Sequence, residues 1–245
     1  MRKTEYKFSQ KNVNCYFDAD FSLIKELTGN ATLVLVTDEN LYQHYQDRFI
    51  AYPVIKIPAG EAHKIQATVD FVVEELLKLG ADKNILLIAV GGGVVTDIAG
   101  YVAAIYMRGI KLVLVPTSIL AMVDAAIGGK NGIDVGIYKN IVGTIRQPEF
   151  IFYDYSFLDT LPVLEWINGF AEIIKHACIK EAALFSVLEK FTLHDFKTDD
   201  TLLAELIERN VTIKTTVVVA DEFEQGDRKL LNFGHTIGHA IENMH

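Results

Sequence analysis

Short apolar segments alternate with helical patterns over about the first 155 residues of the chain. Apolar residues at helical spacing predict helices over residues 65–79, which end before Gly80, and from residue 94 to about residue 107. The apolar segments predict strands at residues 32–36, 53–57, 85–90, 112–115 and 150–153. Because these strands are apolar on both faces and are separated by helices, they predict a parallel α/β sheet.

The pattern changes after about residue 161. Residues 163–190 and 201–219 show helical periodicity, and residues 194–200 form a predicted polar linker. We therefore expect two domains, an α/β domain at residues 1–160 and an all-helical domain at residues 161–245. The last helical pattern reaches the final residue without a stop signal, so we expect further residues to follow it.

Composition and charge argue against a nucleic-acid-binding, membrane-spanning or secreted protein. The chain has 245 residues, half of them hydrophobic, and a net charge of −9. This charge repels a phosphate polymer, so we expect no nucleic-acid partner, although a local group of Lys and Arg side chains can still bind a small anion. No apolar run is long enough for a membrane span, and no apolar stretch follows the basic start as it would in a signal peptide. The two cysteines make no disulfide framework and are typical of a reducing cytoplasm.

A glycine-rich turn is the first candidate for chemistry. The stretch LLIAVGGGVVTDIAG is predicted to form a strand, a turn of three glycines and a helix. Glycines let the backbone approach a ligand, and the free N–H groups of a helix N-terminus favour an anion. The pattern indicates a pyrophosphate site, but a plain tight turn also explains it, since the spacing is not that of the dinucleotide fingerprint. Asp97 is equally well explained as a favourable charge in the first turn of the helix.

Charged residues are concentrated in a glycine-punctuated loop region between residues 122 and 140. Asp124, Lys130, Lys139 and Asn140 lie in it, with Arg108 a little upstream. Taken singly, each is explained as a solvated surface group. Taken together, they would form a pocket for a phosphorylated or carboxylated substrate, and composition leaves both interpretations open.

Two helical stretches carry candidate metal ligands. Glu172 and Lys175 are three residues apart, which predicts either a surface ion pair or, because their neighbours are apolar, a carboxylate available to a metal. His235 and His239 are four residues apart on one helix face, the spacing that a zinc site uses, although such pairs also occur by chance. Arg228 is a further candidate for anion binding.

Five motifs in order resemble the 3-dehydroquinate synthase family, one of the sugar phosphate cyclases. The motifs are GGGVVTDIAG, TSILAMVDAAIGGKNG, YKNIVG, GFAEIIK and LLNFGHTIGHAIE. The resemblance implies a Rossmann-like NAD-binding domain, a helical metal-binding domain and an active site between them. It also implies a lyase of the shikimate pathway of aromatic amino acid biosynthesis. Such a lyase converts 3-deoxy-D-arabino-heptulosonate 7-phosphate to 3-dehydroquinate and phosphate by transient oxidation with NAD, phosphate elimination, re-reduction and an intramolecular aldol closure.

The resemblance also implies a role for each matching residue. Glu172 and His235 would hold a divalent metal, zinc or cobalt, and His239 would be a catalytic histidine. Asp124 would lie beside the nicotinamide and the substrate, and the protein would be a cytoplasmic homodimer. The groups that would hold the phosphorylated sugar acid are Arg108, Lys130, Asn140, Lys175, Lys214 and Arg228. The residues that would contact NAD are Asp38, Glu61, Lys64, Gly92, Gly93, Val94, Val95, Thr96, Asp97, Thr117, Ser118, Lys130, Lys139, Phe157, Leu158, Asp159 and Thr160.

The chain departs from the family pattern in two places. A third metal ligand, a histidine, is expected roughly a dozen residues past His239, and His245 is spaced off the ligand face of the helix. The segment DVGIYK lacks the His-Pro pair common in the family, and Asp134 stands where an asparagine is frequent. Three alternatives stay open: another sugar phosphate cyclase such as 2-deoxy-scyllo-inosose synthase, a metal-dependent glycerol or alcohol dehydrogenase, and a non-catalytic NAD-binding module.

Overall fold

The computed structural model describes residues 1–234, Gly238 and Ile241. The strands in this part of the chain are β1 Arg2–Lys7, β2 Asn12–Phe17, β3 Leu33–Asp38, β4 Val54–Ile57, β5 Leu86–Gly91, β6 Lys111–Pro116, β7 Lys130–Val135, β8 Tyr138–Ile145 and β9 Phe150–Phe152. The α-helices are α1 Ile24–Thr28, α2 Glu39–Phe49, α3 Gln66–Lys78, α4 Gly93–Ile105, α5 Val163–Lys180, α6 Ala182–Lys190, α7 Leu193–Thr198 and α8 Asp200–Ala220. A π-helical turn, Ala121–Ala125, lies between β6 and β7.

A seven-stranded sheet forms the centre of the fold. Its strand order is β1-β2-β9-β6-β5-β3-β4, and within it β1 runs antiparallel to β2 while the other pairs are parallel. The five strands predicted from the apolar segments are all present, with ends that differ by one or two residues. The predicted α/β class with a parallel sheet is confirmed.

Alternate residues of the central strand β5 pack on opposite faces of the sheet. Leu87 and Ala89 belong to one hydrophobic cluster. Leu86, Ile88 and Val90 belong to another. Successive side chains of a strand point to opposite faces, so a strand covered on both faces must be apolar at every position. This is why β5 shows no polar alternation in the sequence.

Two pairs of strands were not predicted. β1 and β2 pair at the edge of the sheet, and β1 is exposed at nearly every position. β7 and β8 form an antiparallel hairpin in the segment predicted as a loop region. Glycine allows these two strands to approach, because a Cβ on Gly143 would lie 2.1 Å from the carbonyl oxygen of Asn131. Both pairs depend on partners that local periodicity does not reveal.

The N-terminal strand also contacts the long helix α8. The Tyr6 hydroxyl is 3.1 Å from Thr212 Oγ1, a contact between residues that are 206 positions apart. The Arg2 guanidinium is 2.6 Å from the Glu208 carboxylate. β1 therefore joins the beginning of the chain to its helical part.

The helices after residue 161 share a continuous hydrophobic core with one face of the sheet. Ile173 of α5 and Ile207 of α8 belong to the cluster that contains Leu87 of β5. The helical pattern predicted over residues 163–190 forms two helices, α5 and α6, because the backbone of Glu181 leaves helical geometry with φ −149° and ψ 85°. No helix in the described ranges is long and apolar enough to cross a membrane. The domain boundary between residues 160 and 161 stays a prediction.

A short helix occupies the segment predicted as a polar linker at residues 194–200, and that prediction was wrong. The Thr192 side chain accepts from the Asp195 N–H, and the Asp195 carboxylate accepts from the Thr192 N–H. This capping box starts α7 within a polar segment. Phe196 then buries its ring in the core, which a linker would not do.

Gly169 of α5 lies where the helix meets the segment before the π-helical turn. A Cβ at this position would lie 2.5 Å from Ile119 Cβ and 2.7 Å from the Leu120 nitrogen. Gly169→Ala should therefore lower the free energy of unfolding by about 1–3 kcal/mol, although alanine has the higher helix propensity. Urea unfolding measures the change. Asn168→Ala, at an exposed position of the same helix, should stay within about 0.5 kcal/mol of wild type. A Gly169→Ala protein as stable as wild type would contradict the close contact.

Candidate functional site

A cavity of about 1450 Å³ opens at the carboxyl ends of the central parallel strands. Asp38 ends β3, Gly92 follows β5 and Thr117 follows β6, and all three line the cavity. The β7–β8 hairpin, α5 and α8 contribute further lining residues. Ligands of open α/β sheets bind at this edge, where strand ends and helix N-termini converge.

The glycine turn brings a helix N-terminus to the cavity. β5 ends at Gly91 and α4 begins at Gly93, so Gly92 and Gly93 line the cavity without side chains. A Cβ on Gly91 would lie 2.4 Å from Val95 Cβ, so the close packing of strand and helix requires glycine there. A turn of this geometry can bind phosphate oxygens on backbone N–H groups.

A buried ion pair lies beside this turn. The Lys64 Nζ atom is 2.5 Å from Asp97 Oδ2 and 2.6 Å from Asn140 Oδ1. Burial raises the pKa of Asp97 to about 6, although the Lys64 ammonium opposes the shift. Asp97 is therefore more than a favourable first-turn charge, because it pairs with a lysine in the cavity wall.

Asp124 lies on the π-helical turn after β6. The turn is wider than an α-helical turn, since the Ala126 N–H donates to the carbonyl oxygen of Ala121. Lys214 of α8 donates to the Asp124 carboxylate at 2.5 Å and to the Asp124 carbonyl oxygen at 2.6 Å. Burial alone would raise the pKa of Asp124, but the ammonium groups of Lys214 and Lys175 outweigh burial and hold that pKa below its usual range. Asp124 is therefore ionised at neutral pH.

Glu172 and Lys175 lie one turn apart on α5 and form an ion pair. Their side chains are only 15% and 7% exposed. The surface ion pair considered from the sequence is therefore a largely buried one. Lys175 also lines the cavity. Glu172 itself does not line the cavity, but it contacts Lys175, which does.

His176, which sequence reasoning missed, is fully buried beside Asp124. Asn210 Nδ2 donates to the Leu206 carbonyl oxygen at 2.8 Å, so Asn210 Oδ1 accepts from His176 Nδ1 at 3.2 Å. His176 Nε2 then carries a lone pair, lies 3.9 Å from Asp124 Oδ1 and has no hydrogen-bond partner among the described residues. Burial lowers the pKa of His176 to about 4, so the ring is neutral at pH 7. Its spacing of four from Glu172, on one helix face, was the available signal.

Asp124, Glu172 and His176 are candidate metal ligands. Their ligand atoms lie within 4.8 Å of one another. Carboxylate oxygens and a neutral imidazole nitrogen suit zinc or cobalt, and the lone pair on His176 Nε2 is compatible with such an ion. The predicted metal ligand His235 and the predicted catalytic residue His239 lie outside the described residues.

A second group of charges reaches the cavity from the segment after α8. Glu224 pairs with Lys130. Arg228 is buried, and its guanidinium donates to the carbonyl oxygens of Glu222 at 2.5 Å and Gly128 at 3.3 Å. Glu224 was not predicted, because one more acid in an acidic segment gives no signal. Its φ of 58° is uncommon for a residue other than glycine.

Most residues assigned by resemblance line this cavity. They are Asp38, Glu61, Lys64, Gly92, Gly93, Val94, Val95, Asp97, Thr117, Ser118, Asp124, Lys130, Lys139, Asn140, Phe157, Thr160, Lys175, Lys214 and Arg228. The described residues that were assigned but do not line it are Thr96, Arg108, Leu158, Asp159 and Glu172. Arg108 is exposed in the turn after α4, and Leu158 is packed in the core.

Comparison with solved structures defines the class of protein. The structure of 2-deoxy-scyllo-inosose synthase complexed with carbaglucose-6-phosphate, NAD+ and Co2+ superposes with a TM-score of 0.84 at 25% sequence identity. The match covers 99% of this chain and 71% of that one. The fold, a Rossmann-like sheet domain followed by a helical region, is that of the sugar phosphate cyclases.

Within that class, the chain belongs to the 3-dehydroquinate synthase family. The family models for 3-dehydroquinate synthase N-terminal and 3-dehydroquinate synthase C-terminal match residues 54–168 and 169–245. A 3-dehydroquinate synthase of Leptospira interrogans is 38% identical over 247 residues, which cover 98% of this chain and 68% of that protein. The pentafunctional AROM polypeptide of Komagataella phaffii is 40% identical over 246 residues, which cover 87% of this chain and 16% of that polypeptide. The chain thus spans about two thirds of the first relative and a small part of the second.

The buried imidazole of His176 should make stability fall in mild acid. Its pKa is about 4 in the folded protein against a usual 6.5, so the unfolded chain binds the proton first. Stability that is present above pH 6.5 is lost progressively as the pH falls from 6.5 to about 4, by up to about 3 kcal/mol in total. His176→Gln should flatten this part of the curve of unfolding free energy against pH, measured by urea unfolding. His44→Gln, at an exposed position of α2, should leave it unchanged. If unfolding free energy falls equally steeply with pH in His176→Gln and in wild type, the lowered pKa of His176 is refuted.

Proposed function

We propose that the protein converts 3-deoxy-D-arabino-heptulosonate 7-phosphate to 3-dehydroquinate and phosphate, with bound NAD and a divalent metal. Oxidation of a hydroxyl removes a hydride and a proton. The observation that carries the proposal is the ionised Asp124 carboxylate, paired with buried Lys214 in the cavity that also contains the glycine turn. This cavity places an ionised carboxylate, which can accept a hydrogen bond from a substrate hydroxyl, close to a place for a dinucleotide. The reaction class is that of a carbon–oxygen lyase, in the shikimate pathway.

The glycine-turn side of the cavity supports NAD binding. Gly92 and Gly93 offer backbone N–H groups to the pyrophosphate, and the hydroxyls of Thr117, Ser118 and Thr160 line the same cavity. The similar 2-deoxy-scyllo-inosose synthase was solved with NAD+. When bound, NAD supplies the hydride acceptor and returns the hydride later in the cycle.

The opposite charges around α5 support a divalent metal. Glu172 and His235 are the proposed ligands, and the carboxylate of Asp124 and the imidazole of His176 lie close to Glu172. When bound, zinc or cobalt supplies a Lewis acid for the oxygen that is oxidised. Lys175 and Lys214 compete with such an ion for these carboxylates, and an anionic substrate would draw their ammonium groups towards itself.

The cationic side chains would hold the two anionic ends of the substrate. Lys130 and Arg228 line the cavity near Glu224. The two carbonyl contacts of Arg228 orient its guanidinium, whose planar fork can bind a carboxylate through two parallel hydrogen bonds. This favours a sugar phosphate that carries a carboxylate over the substrate of a cyclase that acts on a neutral sugar ring.

We also propose that two copies of the protein associate through the outer edge of β8. Ile137, just before β8, and Tyr138 and Ile141 of β8 are 84%, 64% and 63% exposed, and all three also line the cavity. β8 pairs with β7 alone within the described part of the chain, so its other edge presents free backbone N–H and C=O groups. An apolar edge strand of this kind can pair with its own copy about a two-fold axis. Both cysteines are free, which fits a reducing cytoplasm. The domains that we propose are residues 1–160 and residues 161–245.

The catalytic proposal predicts equal amounts of phosphate and 3-dehydroquinate from the heptulosonate phosphate, with no net NADH. Glu172→Gln should lower kcat by about 100-fold or more, because it removes a metal ligand, and should lower the bound metal measured by elemental analysis. Glu189→Gln, the same charge change at an exposed position of α6, should keep both values.

Three other results would contradict the catalytic proposal. Turnover of glucose 6-phosphate in place of the heptulosonate phosphate would indicate the inosose synthase activity. Net NADH from glycerol would indicate a dehydrogenase. A folded protein that binds NAD+ and metal but forms neither product would be a non-catalytic module.

The dimer proposal predicts that Ile141→Asp weakens self-association by about 30-fold or more, since it places a charge in an apolar strand edge. Sedimentation equilibrium measures this dissociation constant. Val163→Asp, at an exposed position of α5, is the matched control and should leave association unchanged. A wild-type protein that is monomeric at all concentrations would exclude the interface.

A further inference from the structure

Asp134 holds the end of the β7–β8 hairpin against the segment before α3. Its N–H donates to the Lys64 carbonyl oxygen at 2.8 Å. Ile65 and Asp134 also form an isolated parallel bridge. The Asp134 Oδ1 atom accepts from the Asn140 N–H at 2.6 Å. One residue therefore contacts two positions, Lys64 and Asn140, that both line the cavity.

The hydrogen bond that the Asp134 carboxylate accepts from the Asn140 N–H stabilises an unusual backbone conformation at Asn140. Asn140 has a φ of 54°, in the left-handed region. That region costs free energy for any residue but glycine, although asparagine tolerates it better than most. A hydrogen bond to a carboxylate is about twice as strong as a neutral one and offsets this cost. Without the carboxylate, the backbone would relax and carry the Asn140 amide away from its present position.

The amide of Asn140 shares the ammonium group of Lys64 with Asp97. Lys64 Nζ is 2.6 Å from Asn140 Oδ1 and 2.5 Å from Asp97 Oδ2. Asp97 lies on α4 beside the glycine turn, and Asn140 lies on β8 next to Lys139. The Lys64 side chain is only 6% exposed, so it cannot swing into water to serve the two partners in turn. A single buried cation thus joins the nucleotide side of the cavity to the hairpin side.

We propose that Asp134 is a positioning residue that, through Asn140 and Lys64, couples binding of a dinucleotide to binding of a sugar phosphate. A dinucleotide that contacts Lys64 or Asp97 alters the bond between Lys64 and Asn140. A sugar phosphate that contacts Asn140 alters the same bond from the other side. Coupling of this kind is reciprocal between the two ligands. The inference rests on the function proposed above, which supplies the two ligands.

The test is a coupling factor measured by calorimetry. It is the Kd for NAD+ alone divided by the Kd for NAD+ with a saturating phosphonate analogue of the heptulosonate phosphate, which cannot eliminate phosphate. We expect a factor of about 5 or more in wild type and about 1 in Asp134→Ala. Asp134→Asn keeps an acceptor oxygen but loses the charge, so it should restore only part of the factor. In Asn140→Ala, adding Asp134→Ala should change the factor no further, because Asp134 acts through Asn140.

A merely structural role for Asp134 gives a different result. Asp134→Ala would then lower the free energy of unfolding and leave the coupling factor at its wild-type value, which would overturn the proposal. A wild-type factor of about 1 would overturn it as well, since the two ligands would then bind independently. Titrations with each ligand alone separate these outcomes from failure of the proposed function. If neither ligand binds, whether alone or in the presence of the other, the proposed function and the coupling fall together.

Discussion

The ion pair between Lys214 and Asp124 joins the long helix α8 to the turn that follows β6. Lys214 is buried and Asp124 is partly buried, and a buried charge is stable only when a partner and hydrogen bonds compensate its lost hydration. Lys214 provides this compensation twice, through the carboxylate and through the carbonyl oxygen of Asp124. The wider π-helical turn presents both acceptors to one ammonium group. The helical region is thereby held at the carboxyl edge of the sheet, where the cavity opens.

The cavity divides its chemistry between backbone and side chains. On the sheet side, glycines remove side chains so that backbone N–H groups can meet a ligand. On the helical side, α5 and α8 contribute charged groups in compensating pairs, such as Lys175 with Glu172. Paired charges compensate one another in the cavity wall, and an anionic substrate can exchange partners with them.

The sequence predicted secondary structure correctly where a local pattern of residues is compatible with only one kind of element. β5 and the glycine turn were predicted because an apolar strand followed by glycines and a helix occurs mainly in parallel α/β sheets. The β7–β8 hairpin was not predicted. Gly132 and Gly143 are needed because the two strands approach closely, and this requirement produces no periodic pattern in the sequence. The burial of His176 depends on Asn210, a residue 34 positions away, and no local signal carries that information. Family motifs identified most of the cavity residues, but the partners of those residues, such as Glu224 for Lys130, came from the tertiary structure.

The contact between β1 and α8 has a consequence for biosynthesis. Tyr6 and Thr212 meet across 206 residues, so β1 leaves the ribosome long before the helix against which it finally rests. Contacts of such high sequence separation form late and slowly. β1 can pair with β2 at once, but its other edge waits for these contacts, and an exposed strand edge is prone to aggregate. β1 carries Arg2, Lys3, Glu5 and Lys7 on its exposed positions. These charges discourage strand-to-strand association with other nascent chains during that delay.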